Sequence, residues 1–145
     1  MRWKRPLPRE LESGILIAVD TNVLIRFMTR DEIVQFRKSR DLLDGNDVFV
    51  ADTVLLETEW VLRYSYGFGP ADVCRAMRLV LGMPTVFVSD AHLLAKVIDW
   101  HQKGLDFADA FHLAASSHCA TFFTFDKKFV KAGAGLGTCL MKDAG

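Results

Sequence analysis

Short apolar runs alternate along the chain with longer stretches of helical periodicity. The first run, "ILIAVD" at 15–20, is continuously apolar up to Asp20, which is typical of a strand buried on both faces. Further strands are predicted at 47–51, 85–89 and 121–125, where β-branched and aromatic residues dominate. A weaker one is predicted at 137–141, "GTCLM".

Helices are predicted between these strands, and glycine or proline marks several of their ends. Gly45, Gly67 and Gly82 are placed as C-terminal caps, and Pro70 fits the first turn of a helix. The predicted helices cover 22–28, 31–44, 53–66, 70–82, 90–103 and 106–119, followed by a short helical turn at 127–133.

The alternation of short strands with helices predicts an α/β fold with a mostly parallel sheet of four or five strands. Ligands of such sheets bind outside the carboxyl ends of the strands. Asp20 is expected at such an end. The abrupt change from an apolar run to an acid therefore marks a candidate site.

Composition narrows the class of protein. The chain has 145 residues, half of them apolar, which predicts a single domain at 15–145 behind an N-terminal leader at 1–14. Lys plus Arg equal Asp plus Glu at 18 each, which argues against a broad basic surface but leaves room for a local basic patch. Three widely spaced cysteines and the lack of a long apolar run favour a reduced, cytoplasmic protein outside the membrane.

Several acids stand in apolar contexts or at the ends of elements. Asp20 and Asp126 each end a strand, and Asp109 lies in "DFADAFHLAA" three residues after Asp106. Each also has a local interpretation, because Asp at a helix start caps backbone N–H groups. In that interpretation Asp20, Asp106 and Asp126 are caps, and Asp109 is the partner of Asp106 in a capping box.

The helix at 53–66 offers two glutamates. Glu59 precedes Arg63 by four residues, the favourable order for an exposed ion pair, and is assigned to the solvated face. Glu57 has mostly apolar neighbours three and four residues away, where an uncompensated acid is costly. Glu57 is therefore the candidate for a site.

Several carboxylates in one cleft would resist ionising together, and a divalent cation would remove that objection. Mg²⁺ prefers carboxylate oxygens, and it can activate water and neutralise charge on a phosphate. Spacing alone does not establish that these acids converge.

Three motifs stand in order along the chain: "VDTNVLIRFM" at 19–28, "LLETEWVLR" at 55–63 and "DFADAFHLAASSHCATFFTFDKKF" at 106–129. Taken together, they resemble the PIN domain, and within it the VapC-type toxins of prokaryotic toxin–antitoxin pairs.

The resemblance implies a three-layer α/β/α domain and a Mg²⁺- or Mn²⁺-dependent endoribonuclease. It implies a homodimer, held inactive by a small antitoxin protein. The family's acids fall on Asp20, Glu57, Asp109 and Asp126, with Asp106 as a frequent additional acid. Thr21, Asn22 and Thr124 match small polar residues that support the site.

Cations close to these motifs are candidates for contacts with the RNA backbone: Arg26, Lys127 and Lys128. Trp60, Tyr64 and Tyr66 are candidates for a dimer or antitoxin surface. Two alternatives stay open. One is a non-catalytic PIN-like module that binds RNA or protein. The other is a phosphatase with Asp20 as nucleophile, which is disfavoured because Asn22 stands where a second acid is usual.

Overall fold

The computed structural model of the protein describes residues 16–145. The predicted leader at 1–14 and the first residue of the first predicted strand lie outside the described residues. The chain forms two compact units, one ending at Ala91 and the other covering 92–145. No helix in the described part of the chain is long and apolar enough to cross a membrane.

The first unit alternates strands and helices. Its elements are β1 (Ile17–Ala18), α1 (Thr21–Thr29), α2 (Ile33–Gly45), β2 (Val48–Phe49), α3 (Asp52–Tyr66), α4 (Pro70–Leu81) and β3 (Val86–Phe87). The strands form a parallel sheet in the order β1-β2-β3, with Ile17 opposite Val48 and Val48 opposite Val86. The parallel α/β character predicted from the sequence is confirmed.

The second unit repeats this alternation on a smaller scale. It contains α5 (Ala91–Gln102) except for its first residue, and then α6 (Phe107–Ala115), β4 (Thr121–Thr124), α7 (Lys127–Gly133) and β5 (Leu140–Asp143). Strands β4 and β5 pair in parallel, with Thr121 opposite Leu140. The described residues thus hold five strands, as expected, hydrogen-bonded as a three-stranded and a two-stranded sheet.

Helix ends follow the predicted chemistry in most places. Gly67 ends α3 in the left-handed conformation, with φ of 69°, where a side chain would be strained. The prediction that Gly45 caps α2 is wrong, because Gly45 is still helical and Asn46 is the cap. The Asn46 amide donates to the Leu42 carbonyl at 3.0 Å, so a side chain satisfies the helix end without a left-handed glycine.

Two predicted boundaries in the second unit shift. Helix α6 ends at Ala115 rather than 119, since the next residues form turns closed by bonds such as Cys119 N–H to the Ser116 carbonyl at 2.9 Å. Strand β5 begins at Leu140 rather than 137. The Thr138 hydroxyl and Cys139 thiol donate to the carbonyls of Ser117 and Ser116, which tie this segment to the end of α6.

The core of the first unit is aliphatic, with Leu24, Leu55, Leu62 and Val48 fully buried. Strand β1 is not buried on both faces as predicted: Ile17 is half-buried and Ala18 is exposed. Among the described residues, strand β1 is an end strand of its three-stranded sheet and pairs with β2 alone in that sheet, so an apolar sequence does not by itself make it a central, enclosed strand.

Candidate functional site

Asp20 leaves β1 and immediately begins α1. It adopts an extended conformation, and its Oδ1 accepts a hydrogen bond from the Val23 N–H at 3.2 Å. The capping interpretation therefore holds for Asp20. The cap uses Oδ1, and the carboxylate is exposed, so it can serve a ligand as well as a cap.

The two residues after Asp20 differ in environment. Thr21 is buried, and its hydroxyl oxygen has no hydrogen-bond partner among the described residues. Asn22 is exposed on the first turn of α1. A buried hydroxyl without a hydrogen bond costs about 1–3 kcal/mol, and the supporting role predicted for Thr21 stays a prediction.

The glutamates of α3 have the opposite burial from that predicted. Glu59, assigned to the solvated face, is 2% exposed, whereas Glu57 is exposed to solvent. The predicted pair of Glu59 with Arg63 does form, at 3.2 Å. The half-exposed Arg63 supplies the charge that a buried Glu59 needs. Glu57 remains accessible to a ligand, on a helix that packs against α1.

Three acids come together in the second unit. Asp106 caps α6 and accepts from the Asp109 N–H at 3.2 Å. Burial raises the pKa of Asp109, the negative charges of Asp106 and Asp126 raise it further, and His112 opposes them. We call Asp106, Asp109 and Asp126 the acidic cluster. Asp109 is the half-buried member of the cluster, and its carboxylate is the one whose ionisation the other two charges oppose.

Asp126 joins the cluster from the end of β4. Its Oδ1 accepts from the N–H groups of Lys128 at 3.0 Å and Phe129 at 3.2 Å, so it caps α7. Its own N–H donates to the Thr124 hydroxyl at 3.0 Å. Thr124 thus fixes the turn that carries Asp126, and its supporting role in a site stays a prediction.

The cation candidates divide into two kinds. Arg26 is already engaged: its guanidinium bonds to Asp31 at 3.1 Å, Gln35 at 2.6 Å and Tyr66 at 3.3 Å. Hydrogen bonds from Tyr66 and, to a lesser extent, Thr29 lower the pKa of Asp31. Its charged carboxylate therefore holds Arg26 in a local structural network. Lys127 and Lys128 are exposed on the first turn of α7, directly after Asp126.

A second pair of acids was missed from the sequence. Asp52 begins α3 just after β2, and Asp90 follows β3, so both lie past the carboxyl ends of neighbouring parallel strands. Burial raises the pKa of Asp52, and the charge of Asp90 adds to it. The Asp52 Oδ1 is buried without a hydrogen-bond partner among the described residues. The signal that could have found them is the one that marked Asp20, an acid soon after an apolar strand.

We expect Asp52→Asn to stabilise the protein by about 2–4 °C in Tm at neutral pH. Because the pKa is raised in the folded state, the stability that protonation gives is fully present below the ordinary aspartate pKa. It is lost as the pH rises through the raised value. The variant should therefore gain over the wild type on going from acidic to neutral pH in thermal melts. An equal Tm difference at all pH values would contradict this, and Asp72→Asn, an exposed acid in α4, is the control.

The structure thus brings Asp106, Asp109 and Asp126 together in the second unit and sets Asp20 and Glu57 on packed helices of the first. Among residues 16–145, no three His, Cys, Asp or Glu side chains already stand in an arrangement that could hold a metal ion. Three of these acids, Asp20, Asp106 and Asp126, share one local design, in which a carboxylate caps the start of a helix just after a strand or loop. Helix starts favour anions, so this design suits chemistry on a phosphate.

Among known proteins, no curated protein and no solved structure matches the chain significantly, but one family model does. The family model of the PIN domain matches residues 17–135, from β1 to just beyond α7. That span contains every acid discussed above and most of the chain, and the parallel strands and helices agree with it; the protein therefore belongs to the PIN domain family.

Proposed function

We propose that this protein is a metal-dependent endoribonuclease that acts as the toxin of a toxin–antitoxin pair. PIN domains are generally nucleases and usually use divalent metals. The observation that carries the proposal is the acidic cluster. Asp109 is held, half-buried, beside two other negative charges, and capping does not explain its carboxylate. Such an arrangement is costly unless a cation binds to it.

A hard divalent cation fits the cluster in donor type and in charge. All three side chains offer carboxylate oxygens, the ligands that Mg²⁺ and Mn²⁺ prefer. We propose Asp109 and Asp126 as holding residues in this unit, with Asp106 as an additional one, although the three side chains do not already stand as a complete metal site. Bound there, the ion would neutralise charge on the phosphate and activate a water for hydrolysis.

The chain's own residues have further roles in this proposal. Thr124 and the cap of α7 hold Asp126 in a fixed orientation, which lowers the cost of positioning it. Lys127 and Lys128 attract the RNA backbone next to Asp126. Asp20 and Glu57, exposed in the first unit, are proposed as the remaining acids of the reaction on the strength of the family pattern.

Purified protein should cleave single-stranded RNA in the presence of Mg²⁺ or Mn²⁺, and chelation should abolish the cleavage. Asp109→Asn should be inactive, and Asp99→Asn, an exposed acid of α5 in an ion pair with Lys103, should be as active as the wild type. Cleavage that persists in EDTA, or in Asp109→Asn, would contradict the proposal.

The toxin role has a separate test in cells. Induction should arrest growth, Asp109→Asn should relieve the arrest, and co-expression of a small protein encoded immediately upstream should neutralise it. The proposed homodimer is tested by sedimentation. RNA cleavage without growth arrest would leave a nuclease that is not a toxin.

A non-catalytic PIN-like module is the second candidate, and one observation favours it. Asp20, Asp106 and Asp126 all cap helices, so their presence has a structural explanation. RNA binding without cleavage under any metal would support this candidate. Asp109 is the residue that argues against it.

A further inference from the structure

Two large aromatic side chains of α3 stand in solvent on the helix face that carries Glu57. Trp60 is 55% exposed and Tyr64 is 63% exposed. Residues three and seven positions beyond Glu57 return to nearly the same side of a helix, about 4.5 and 10.5 Å further along its axis. The rings therefore follow a candidate acid along one surface.

These rings are held in place despite their exposure. Their centroids lie 5.0 Å apart with a tilt of 46°. The Arg63 guanidinium lies 4.7 Å from the centre of the Tyr64 ring, and Arg63 is itself paired with buried Glu59 at 3.2 Å. A series of contacts thus runs from buried Glu59 through Arg63 and Tyr64 to Trp60. It orders the exposed rings before any ligand binds, which reduces the entropy lost when a ligand stacks on them.

The chemistry of this surface selects among possible occupants. Tryptophan, tyrosine and arginine are common in protein interfaces as well as on RNA-binding surfaces. Here the two rings share a helix face with the carboxylate of Glu57 and stand beside the cation of Arg63. Exposed aromatics next to arginine are the common means of binding unpaired nucleobases, which stack on rings irrespective of sequence. A base stacks on an exposed ring, and both rings are more than half exposed.

We propose that Trp60 and Tyr64 form a stacking surface for an unpaired base of single-stranded RNA, adjacent to the nucleotide that Glu57 approaches. This inference rests on the proposed ribonuclease function and deepens it by naming how the substrate is positioned. It also accounts for the burial of Glu59, which anchors Arg63 beneath Tyr64.

The test is RNA binding in the full-length Asp109→Asn protein, which avoids cleavage during the measurement. Trp60→Ala should weaken binding of a short single-stranded oligoribonucleotide about tenfold, the effect of losing one stacked base. Trp60→Phe should restore much of it. In the cleaving protein, Trp60→Ala should raise KM with little change in kcat. Leu79→Ala is the matched control, since Leu79 is 55% exposed on α4 and carries no aromatic ring.

A second oligonucleotide series makes the test specific to stacking. Abasic replacement at one position should weaken binding to the protein with Trp60, and should have no further effect on Trp60→Ala. Equal sensitivity of both proteins to abasic replacement would overturn the proposal, as would unchanged binding by Trp60→Ala. Loss of self-association in Trp60→Ala with RNA affinity intact would assign the surface to a second copy of the chain instead.

The outcomes separate the inference from the function on which it rests. Cleavage by the wild type together with an unaffected Trp60→Ala would leave the ribonuclease standing and remove the stacking surface. A wild type that neither binds nor cleaves any RNA would overturn both. Thermal melts of each Trp60 variant should match those of the protein in which it is made, because the replaced ring is exposed.

Discussion

Replacing Asp126 with asparagine is expected to reduce RNA cleavage about 100–1,000-fold while leaving the fold unchanged. The Asp126 Oδ1 accepts two backbone N–H groups at the start of α7. An asparagine carbonyl accepts them equally well, since Asn and Asp are similar as helix N-caps. The substitution therefore removes the charge and keeps the cap, which separates the two roles of this residue.

Alanine at the same position should remove both. Asp126→Ala is expected to lose cleavage and also about 0.5–2 kcal/mol of stability, the ordinary cost of a lost N-cap. Cleavage assays and thermal melts of the two variants, measured side by side, distinguish them. Asp20→Asn and Asp20→Ala should behave in the same way, because Asp20 caps α1 through Val23.

Glu32 provides the matched control for a capping acid outside the site. Its carboxylate accepts from the N–H groups of Val34 and Gln35 at the start of α2, at 3.2 and 2.7 Å. Glu32→Gln should cleave RNA as the wild type does. If Asp126→Asn also cleaves at the wild-type rate, Asp126 is a cap and nothing more, and its place in the proposed site is lost.

The dual role of these acids explains how far the sequence could be interpreted. An aspartate directly before a predicted helix predicts the cap correctly at Asp20, Asp106 and Asp126, because capping depends on residues close in the chain. The same local pattern serves a ligand and a cap. The sequence therefore located these acids without deciding between the two roles.

The spacing of neighbouring residues in the sequence predicted the burial of the two α3 glutamates wrongly. Neighbours three and four positions away gave Glu57 an apolar setting and Glu59 a cation, yet Glu59 is buried and Glu57 is exposed. Which side of α3 is covered depends on the elements packed against it, and those are far away in the sequence. The pair of Asp52 and Asp90 was missed for the same reason, since the pairing of β2 with β3 brings them together.

Asp109 carries the second large effect. Asp109→Asn is expected to abolish cleavage, about 100–1,000-fold or more, and at the same time to make the metal-free protein more stable. Burial and the charges of Asp106 and Asp126 all oppose ionisation of Asp109 in the folded protein. Asparagine keeps the size and shape of the side chain and removes the charge that burial and the two neighbouring carboxylates disfavour. We therefore expect a rise in Tm of about 2–4 °C in EDTA.

The pH dependence has a definite sign. Because the folded state raises the pKa of Asp109, the stability contributed by its protonated form is fully present below the ordinary aspartate pKa. It is lost as the pH rises through the raised value. The Asn variant lacks this loss, so its advantage in EDTA should appear on going from acidic to neutral pH. Asp99→Asn should show no such change, and a lower Tm for Asp109→Asn at neutral pH would contradict the repulsion argument.

Magnesium should reverse the order of the two proteins. A ligand that binds only the folded state stabilises it according to its concentration and affinity, so the wild type should gain Tm as Mg²⁺ is added. Asp109→Asn, with one carboxylate fewer in the acidic cluster, should gain less. A residue that destabilises the free protein and is required for both cation response and cleavage is retained for activity rather than for the fold. A wild type whose Tm does not respond to Mg²⁺ or Mn²⁺, with cleavage also absent, would instead indicate the non-catalytic module.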